Sequence, residues 1–272
     1  VTSAGHRLRG LSPARLRALA RKVVRVGGFA GITGGLLPIY VARDRLTREE
    51  DRSRVRDRWV RRWSGSLLRL FSIEVDYRGE PPAGGPASGP GRLVVSNHRS
   101  ALDIGILLRR FGGHMVSRAD LARWPVVGAA ARSVGTVFVD RGSRQSGAST
   151  IRAVRTLLER GETVIVFPEG TTFEGDTVRQ FHAGAFIGAV KAGATVVPVG
   201  IAYASGSGAA FVGEPFTRHL ARMAESSATR VVVRTGTPIR LDVGSSAADA
   251  AAAAQSAVEQ LVAVARYEVD AP

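Results

Sequence analysis

The chain has 272 residues, 44% hydrophobic and 6% aromatic, enough to bury a core of valine, alanine and leucine in one large domain or a domain with an appendage. It contains no cysteine, which excludes disulfides, thiolate metal sites and a cysteine nucleophile. The net charge of +15 is carried mostly by arginine and is uneven: residues 1–80 hold 18 basic and 8 acidic side chains, a net of +10, which points to an anionic partner for the N-terminal part.

In chain order, the first informative element is residues 26–42, VGGFAGITGGLLPIYVA, seventeen residues without a charge. That length is at the short limit for a membrane span, and five glycines with Pro38 weaken it as a straight helix. Arg7, Arg9, Arg15, Arg17, Arg21, Lys22 and Arg25 precede it, and Arg43, Arg45 and Arg48 follow. We read it as a segment embedded in or lying on a membrane, with the arginines reaching phosphate head groups; a buried helix of a soluble domain is the plain alternative. Residues 47–70 read as one basic helix, because Val55, Trp59, Trp63, Leu67 and Leu70 recur at three- and four-residue spacing. Tryptophans among arginines suit a membrane interface, although a solvated surface helix has the same pattern. The chain therefore divides into a membrane-associating segment over 1–72 and a second domain over 73–272.

A short strand at 73–77 leads into a loop, 79–91, in which nine of thirteen residues are glycine or proline. Apolar runs suited to buried strands follow at 92–96, 114–117, 136–139, 163–167, 196–203 and 230–235. Helical patterns lie near 100–111, 126–133, 144–160, 182–192 and 246–267. Strand–helix alternation with near-continuous valine and isoleucine runs predicts an α/β fold, a largely parallel sheet flanked by helices.

The stretch Asn97-His98-Arg99-Ser100-Ala101-Leu102-Asp103 carries the clearest chemistry. A strand ending at Ser96 and a helix beginning near Ser100 put His98 at the C-terminal edge of the sheet, where open α/β folds bind ligands. Asp103, one turn into the helix, can reach back and fix the imidazole tautomer, leaving a neutral base near pH 7. The same residues, Ser100 to Asp103, also read as a variant capping box. Further along, Gly135-Thr-Val-Phe-Val-Asp-Arg141 ends a strand in an acid and a base, an arrangement equally typical of a turn. Phe167-Pro-Glu-Gly-Thr-Thr172 ends another with Gly170 for close backbone approach and donors suited to a phosphate or oxyanion. Val196-Val-Pro-Val-Gly-Ile201 is apolar and reads as packing.

In order and spacing these four blocks resemble the glycerolipid acyltransferase family, of the bacterial 1-acylglycerol-3-phosphate acyltransferase type, over roughly 73–240. The resemblance implies a membrane-associated O-acyltransferase at the cytoplasmic face of the cell membrane. It would move a fatty acyl group from acyl-CoA or acyl-carrier protein to the hydroxyl of a lysophospholipid, 1-acylglycerol-3-phosphate in the first instance. It needs no cofactor beyond that thioester co-substrate. By the same resemblance His98 is the general base, Asp103 orients it, Arg118 and Arg141 hold the acceptor phosphate, and Glu169, Gly170, Thr171 and Thr172 shape the acceptor site. The family's third block commonly reads Glu-Gly-Thr-Arg; Thr172 stands in place of that arginine. The departure keeps another acceptor open, such as a lyso-ornithine lipid. His182 lies near this region as either a site-lining or a structural histidine.

Two readings of other classes stand beside this one. A serine hydrolase would use Ser96 or Ser100 with His98 and Asp103, but the catalytic region lacks a Gly-x-Ser-x-Gly elbow. A non-catalytic protein bound to anionic membranes or nucleic acid would use the arginines alone. No nucleic-acid module is recognisable, so no nucleic-acid partner is expected. The five histidines are scattered and no acidic cluster has ligand spacing, so no metal site is expected.

Overall fold

A computed structural model describes residues 12–80, 89–124, 127–140, 142–242 and 244–271. Most of the Gly/Pro-rich loop, together with Arg7, Arg9 and Arg141, lies outside the described residues.

The uncharged stretch 26–42 is the middle of a longer element, the 34-residue helix α1 (Pro13–Leu46). Its start follows helix-entry chemistry: the Ser12 hydroxyl accepts from the Arg15 amide at 3.4 Å, and Pro13 occupies the first turn, where no amide hydrogen is needed. Helix α2 (Glu49–Leu70) carries Glu49, Glu50 and Asp51 in its first turn, where carboxylates complement the helix dipole. The two helices pack closely at Gly28, where an added Cβ would meet the Leu70 side chain at 2.9 Å.

Eight strands form one sheet: β1 (Ile73–Arg78), β2 (Arg92–Ser96), β3 (His114–Arg118), β4 (Val137–Val139), β5 (Thr163–Val166), β6 (Thr195–Tyr203), β7 (Thr229–Thr235) and β8 (Ile239–Arg240). Their order is β1-β7-β6-β2-β5-β3-β4, with β8 also paired to β6. All pairings are parallel except β6–β7 and β6–β8. The helices are α3 (Leu102–Phe111), a 3-10 turn at Ala119–Arg123, α4 (Val127–Ser133), α5 (Arg144–Glu159), α6 (Gly184–Lys191), α7 (Phe216–Glu225) and α8 (Ala247–Asp270).

Strand alternation divides the core. Val94, Ile165, Val197, Val199 and Ile201 face a layer that includes Ile106 and Phe111 of α3 and Met223 of α7. Leu93, Val95, Val164 and Val196 face the other layer, with Leu158, Phe186, Val258 and Val262. Helix α8 lies so close to β6 that a Cβ at Gly200 would sit 2.6 Å from the Leu261 backbone. The valine-rich 196–201 block is thus packing, as its composition suggests. Val60, Leu68 and Phe71, at the end of the basic N-terminal part, join the first of these layers, so α2 is built into the α/β core.

Three cations expected at lipid head groups serve the fold instead. Arg25, only 5% exposed, donates to the Leu70 carbonyl at the end of α2 (2.9 Å) and to the Ser226 and Ser227 carbonyls just past α7 (2.5 and 3.2 Å). Arg21 donates to the Glu225 carbonyl (2.9 Å), and Lys22 to the Glu225 carboxylate (2.8 Å). The last carbonyls of a helix lack intrahelical partners and carry partial negative charge, which gives cations their preferred seats there. The signal was missed because α7 itself, ten residues behind Pro215, was not anticipated.

Candidate active site

Strand β2 ends at Ser96, and the chain turns through Asn97–Ala101 into α3. Asn97 fixes the start of this turn: its side chain donates to the Ile201 carbonyl and accepts from the Ile201 amide, both at 2.9 Å. His98 then stands at the C-terminal edge of the sheet. Its Nδ1 lies 2.9 Å from Asp103 Oδ2, and its ring stacks on Phe167, with centroids 3.8 Å apart and planes 6° from parallel. An ionised Asp103 only accepts, so Nδ1 carries the proton and Nε2 keeps the lone pair. Nε2 has no hydrogen-bond partner among the described residues, and the ring, 16% exposed, borders the main cavity.

The fully buried Asp103 carboxylate is saturated. Oδ2 also accepts from the Arg99 amide (2.7 Å) and the Ser100 amide (2.9 Å), and Oδ1 accepts from the Tyr203 hydroxyl (2.5 Å). The Ser100 hydroxyl accepts from the Leu102 amide at 3.2 Å. The carboxylate that closes the helix start, as the capping reading expects, is also the one that holds the histidine.

A second carboxylate joins this turn to the Phe167–Thr172 block. Glu169 accepts from the His98 amide (2.8 Å), from Arg99 Nη1 (2.9 and 3.1 Å) and from the Arg179 amide (3.0 Å). Arg99 continues to the Gly175 carbonyl (2.5 Å) and the Thr177 carbonyl (2.9 Å). With its side chain buried and its oxygens engaged, Glu169 shapes the site from behind and does not project into it. The following turn is closed by the Gly170 amide on the Phe167 carbonyl (3.1 Å), and Gly170 has φ +84°, a conformation that favours glycine.

The cavity beyond His98 measures about 1150 Å³ and is mostly apolar. Phe29, Leu36 and Leu37 of α1, Trp59 and Trp63 of α2, and Leu102 and Gly105 of α3 form much of its wall. Gly170, Thr171, Thr172, Arg118 and His182 line it as well. Arg118, 62% exposed along its side chain, pairs with Asp120 at 3.0 Å. Thr172 turns its hydroxyl onto the Phe211 carbonyl. Asp140 closes a local turn by accepting from the Gly142 amide at 3.0 Å, and its own amide donates to the Ser146 hydroxyl at 2.8 Å.

Sequence reading missed Arg99, Tyr203 and His219. Burial pushes the Tyr203 phenol well above its usual range, an effect reinforced by the neighbouring Asp103. His219 of α7 has Nε2 3.3 Å from the Ser100 hydroxyl; burial, with Arg222 beside it, pushes its pKa down to about 4. Tyr203 carried one signal, a hydroxyl at the end of a buried strand; His219 carried none, lying on the unanticipated helix. Ser96 and Ser100 are fully buried, their hydroxyls directed to Asn97 Oδ1 (3.4 Å) and to the Leu102 amide and His219. Neither hydroxyl pairs with His98, so the geometry gives the hydrolase reading no support. Among the described residues no cluster of three or more acidic or histidine side chains is suited to a metal ion.

The family model described as acyltransferase matches residues 81–202. Lyso-ornithine lipid O-acyltransferase of Pseudomonas aeruginosa is 33% identical over 250 residues, 90% of this chain and 93% of that protein. The 1-acyl-sn-glycerol-3-phosphate acyltransferase of Neisseria gonorrhoeae is 36% identical over 134 residues, 49% of this chain and 52% of the relative. The crystal structure of the 1-acyl-sn-glycerophosphate acyltransferase of Thermotoga maritima has the same fold, with a TM-score of 0.71 at 22% identity over 92% of this chain and 97% of that one.

Proposed function

The chain belongs to the glycerolipid acyltransferase family, and from that premise we propose that it transfers a fatty acyl group from a thioester to a lysolipid hydroxyl, with His98 as general base. One observation carries this reading. His98 is held by Asp103 at Nδ1 and stacked on Phe167, while Nε2, which has no partner among the described residues, borders a large apolar cavity. Nε2 takes the proton of the acceptor hydroxyl as its oxygen attacks the thioester carbonyl. The tetrahedral intermediate collapses, the C–S bond breaks, and the imidazolium returns the proton to the leaving thiolate. Base assistance of this kind is worth about 10²–10⁴-fold, and holding both substrates in register adds to it. The thioester is that of coenzyme A or acyl-carrier protein.

For the acceptor, a zwitterionic lysolipid such as lyso-ornithine lipid is favoured over 1-acylglycerol-3-phosphate. Thr172 stands where the family commonly has an arginine, Arg118 is already paired with Asp120, and the relative matched along nearly its whole length acts on lyso-ornithine lipid. A phosphate dianion needs more unpaired cation than this; Arg118 and Arg141, with the donors of Thr171, suit one carboxylate or phosphate of a mixed-charge head group. The exposed apolar residues of α1, among them Val23, Val24 and Ile39, rest on the cytoplasmic face of the cell membrane in this reading. Helix α1 is long and apolar enough to cross a bilayer, and only 17% of its most apolar window is buried.

The test is a panel of purified lysolipids with labelled acyl-CoA and acyl-carrier protein, read by product mass. Acylated ornithine lipid supports the favoured acceptor, phosphatidate alone selects the second, and free fatty acid with no acylated lipid contradicts acyl transfer.

A further inference from the structure

We propose that Tyr203 is a positioning residue that sets the basicity of His98 through Asp103. The inference rests on His98 as the general base and adds the group that tunes it. Tyr203 is the last residue of β6, which runs parallel to β2, so both strands deliver their C-terminal ends to the same edge of the sheet. Its hydroxyl lies 2.5 Å from Asp103 Oδ1, while the other carboxylate oxygen accepts from His98 Nδ1 at 2.9 Å. The three groups form one line, phenol to carboxylate to imidazole, inside a region from which water is excluded at Tyr203 and Asp103.

Two consequences follow from the chemistry. The backbone amides of Arg99 and Ser100 anchor Oδ2, and the phenol anchors Oδ1, so the carboxylate cannot rotate away from the imidazole. A donor on Oδ1 also withdraws negative charge from the carboxylate and weakens its hold on the imidazolium. Phenol donation therefore weakens the carboxylate's pull on the imidazole proton. Burial keeps the phenol protonated, which makes it a permanent donor.

Other ionisable groups face this line from each neighbouring element. Glu169 is held by Arg99, and His219 of α7, with a pKa of about 4, stays neutral through the working range; Glu214 and Arg222 hold its far side. Tyr77 of β1, pushed up to about 12, donates to the Ile106 carbonyl, and Arg266 of α8 donates to the Tyr203 carbonyl, the Ser205 hydroxyl and the Asp176 and Asp270 carboxylates. Across the cavity stand His182, Arg144, Asp140 and the Arg118–Asp120 pair. None of their side chains makes a hydrogen bond with Asp103 or the His98 ring, which leaves Tyr203 as the side chain besides His98 that hydrogen-bonds the carboxylate among the described residues.

The experiment is the pH profile of kcat/KM for acyl transfer, measured on the full-length chain in mixed micelles of lysolipid. Tyr203→Phe removes the donor, and 3,5-difluorotyrosine placed at 203 strengthens it without changing the fold of a side chain already accommodated. The acid limb of the profile is expected to move up by about half a unit in Tyr203→Phe and down with the fluorinated phenol. The KM for the thioester stays unchanged, and kcat in Tyr203→Phe falls about three- to tenfold. Difluorotyrosine at the exposed Tyr267 leaves the profile where it was. Limbs that stay in place, or move in the same direction for both substitutions, overturn the role of Tyr203. If Tyr203→Phe does not fold, the fluorinated chain alone decides by the direction of its shift. His98→Gln, assayed in parallel, separates the two readings: full activity there removes the base itself, whereas an inactive His98→Gln with unmoved limbs removes only Tyr203.

Discussion

The His98–Asp103 turn and helix α1 treat polar and apolar groups in opposite ways. At the turn every carboxylate oxygen of Asp103 and Glu169 is engaged, and Arg99 donates to Glu169, Gly175 and Thr177. His98 Nε2 has no hydrogen-bond partner among the described residues, and the ring borders the cavity. On α1 the cations nearest the fold are engaged at helix ends, while Leu16, Leu19, Val23, Val24, Ile39 and Leu46 remain exposed. The contrast shows what each region is organised around. In a saturated polar network an unpaired lone pair at a cavity suits the proposed base, and uncovered apolar side chains on an anchored helix suit the proposed contact with lipid.

The largest effect on this comparison should come from breaking the network at the turn. Arg99→Ala leaves Glu169 buried without its cation and frees the loop that carries Gly175 and Thr177. A loss of about 3–5 kcal/mol is expected, seen as a lower urea midpoint with unchanged slope. Stability unchanged within error would mean that water replaces the guanidinium and that the turn is not the rigid element described.

Arg25→Ala tests the anchoring of α1. It removes donors from carbonyls at the ends of α2 and α7, and a loss of about 1–3 kcal/mol follows from leaving them unpaired. Protease cleavage within α1 should accelerate in the variant, while the thermal transition of the α/β core shifts less than that of the α1 fragment.

A smaller and reversible effect attends pH. His219 is neutral when folded, with a pKa near 4 against 6.5 unfolded, so the unfolded chain binds more protons between those values. Its contribution is complete above about pH 6.5 and is lost as pH falls toward 4. The melting temperature should drop across that window, and His219→Gln should flatten the drop. An unaltered pH slope in the variant would place the titration elsewhere.

The smallest effect on folding should come from the exposed face of α1. Val23→Asp with Val24→Asp is expected to change stability by less than about 0.5 kcal/mol. It should nevertheless weaken flotation with anionic vesicles and lower activity on vesicle-borne substrate more than on micelles. Equal activity on both would detach the apolar face from lipid contact.

Much of the fold was legible because local patterns agreed with it. The valine-rich runs became β2, β5 and β6, and the spacing of His98 and Asp103 placed both at one helix start. What was hidden depended on contacts between distant segments. The Arg99–Glu169 pair joins positions seventy residues apart, and nothing local marks either as the other's partner. Tyr203 meets Asp103 only because β6 lies beside β2. Helix α7 is short and follows Pro215, so its carbonyl end, and with it the role of Arg21, Lys22 and Arg25, could not be anticipated. The antiparallel pairing of β7 likewise follows from the path taken through α7 rather than from any run of residues. The two readings of Ser100–Asp103, helix cap or partner of His98, also needed the structure, since one carboxylate accepts from the Ser100 amide and from His98 Nδ1.

The proposed role of His98 Nε2 is that of the base for acyl transfer. It is tested most directly by single-turnover formation of acylated lysolipid in His98→Ala, with folding and vesicle flotation measured on the same preparation. A fall of at least about 10²-fold in the rate is expected, with the melting temperature and flotation essentially unchanged. Acyl transfer within a few-fold of the native rate would contradict it.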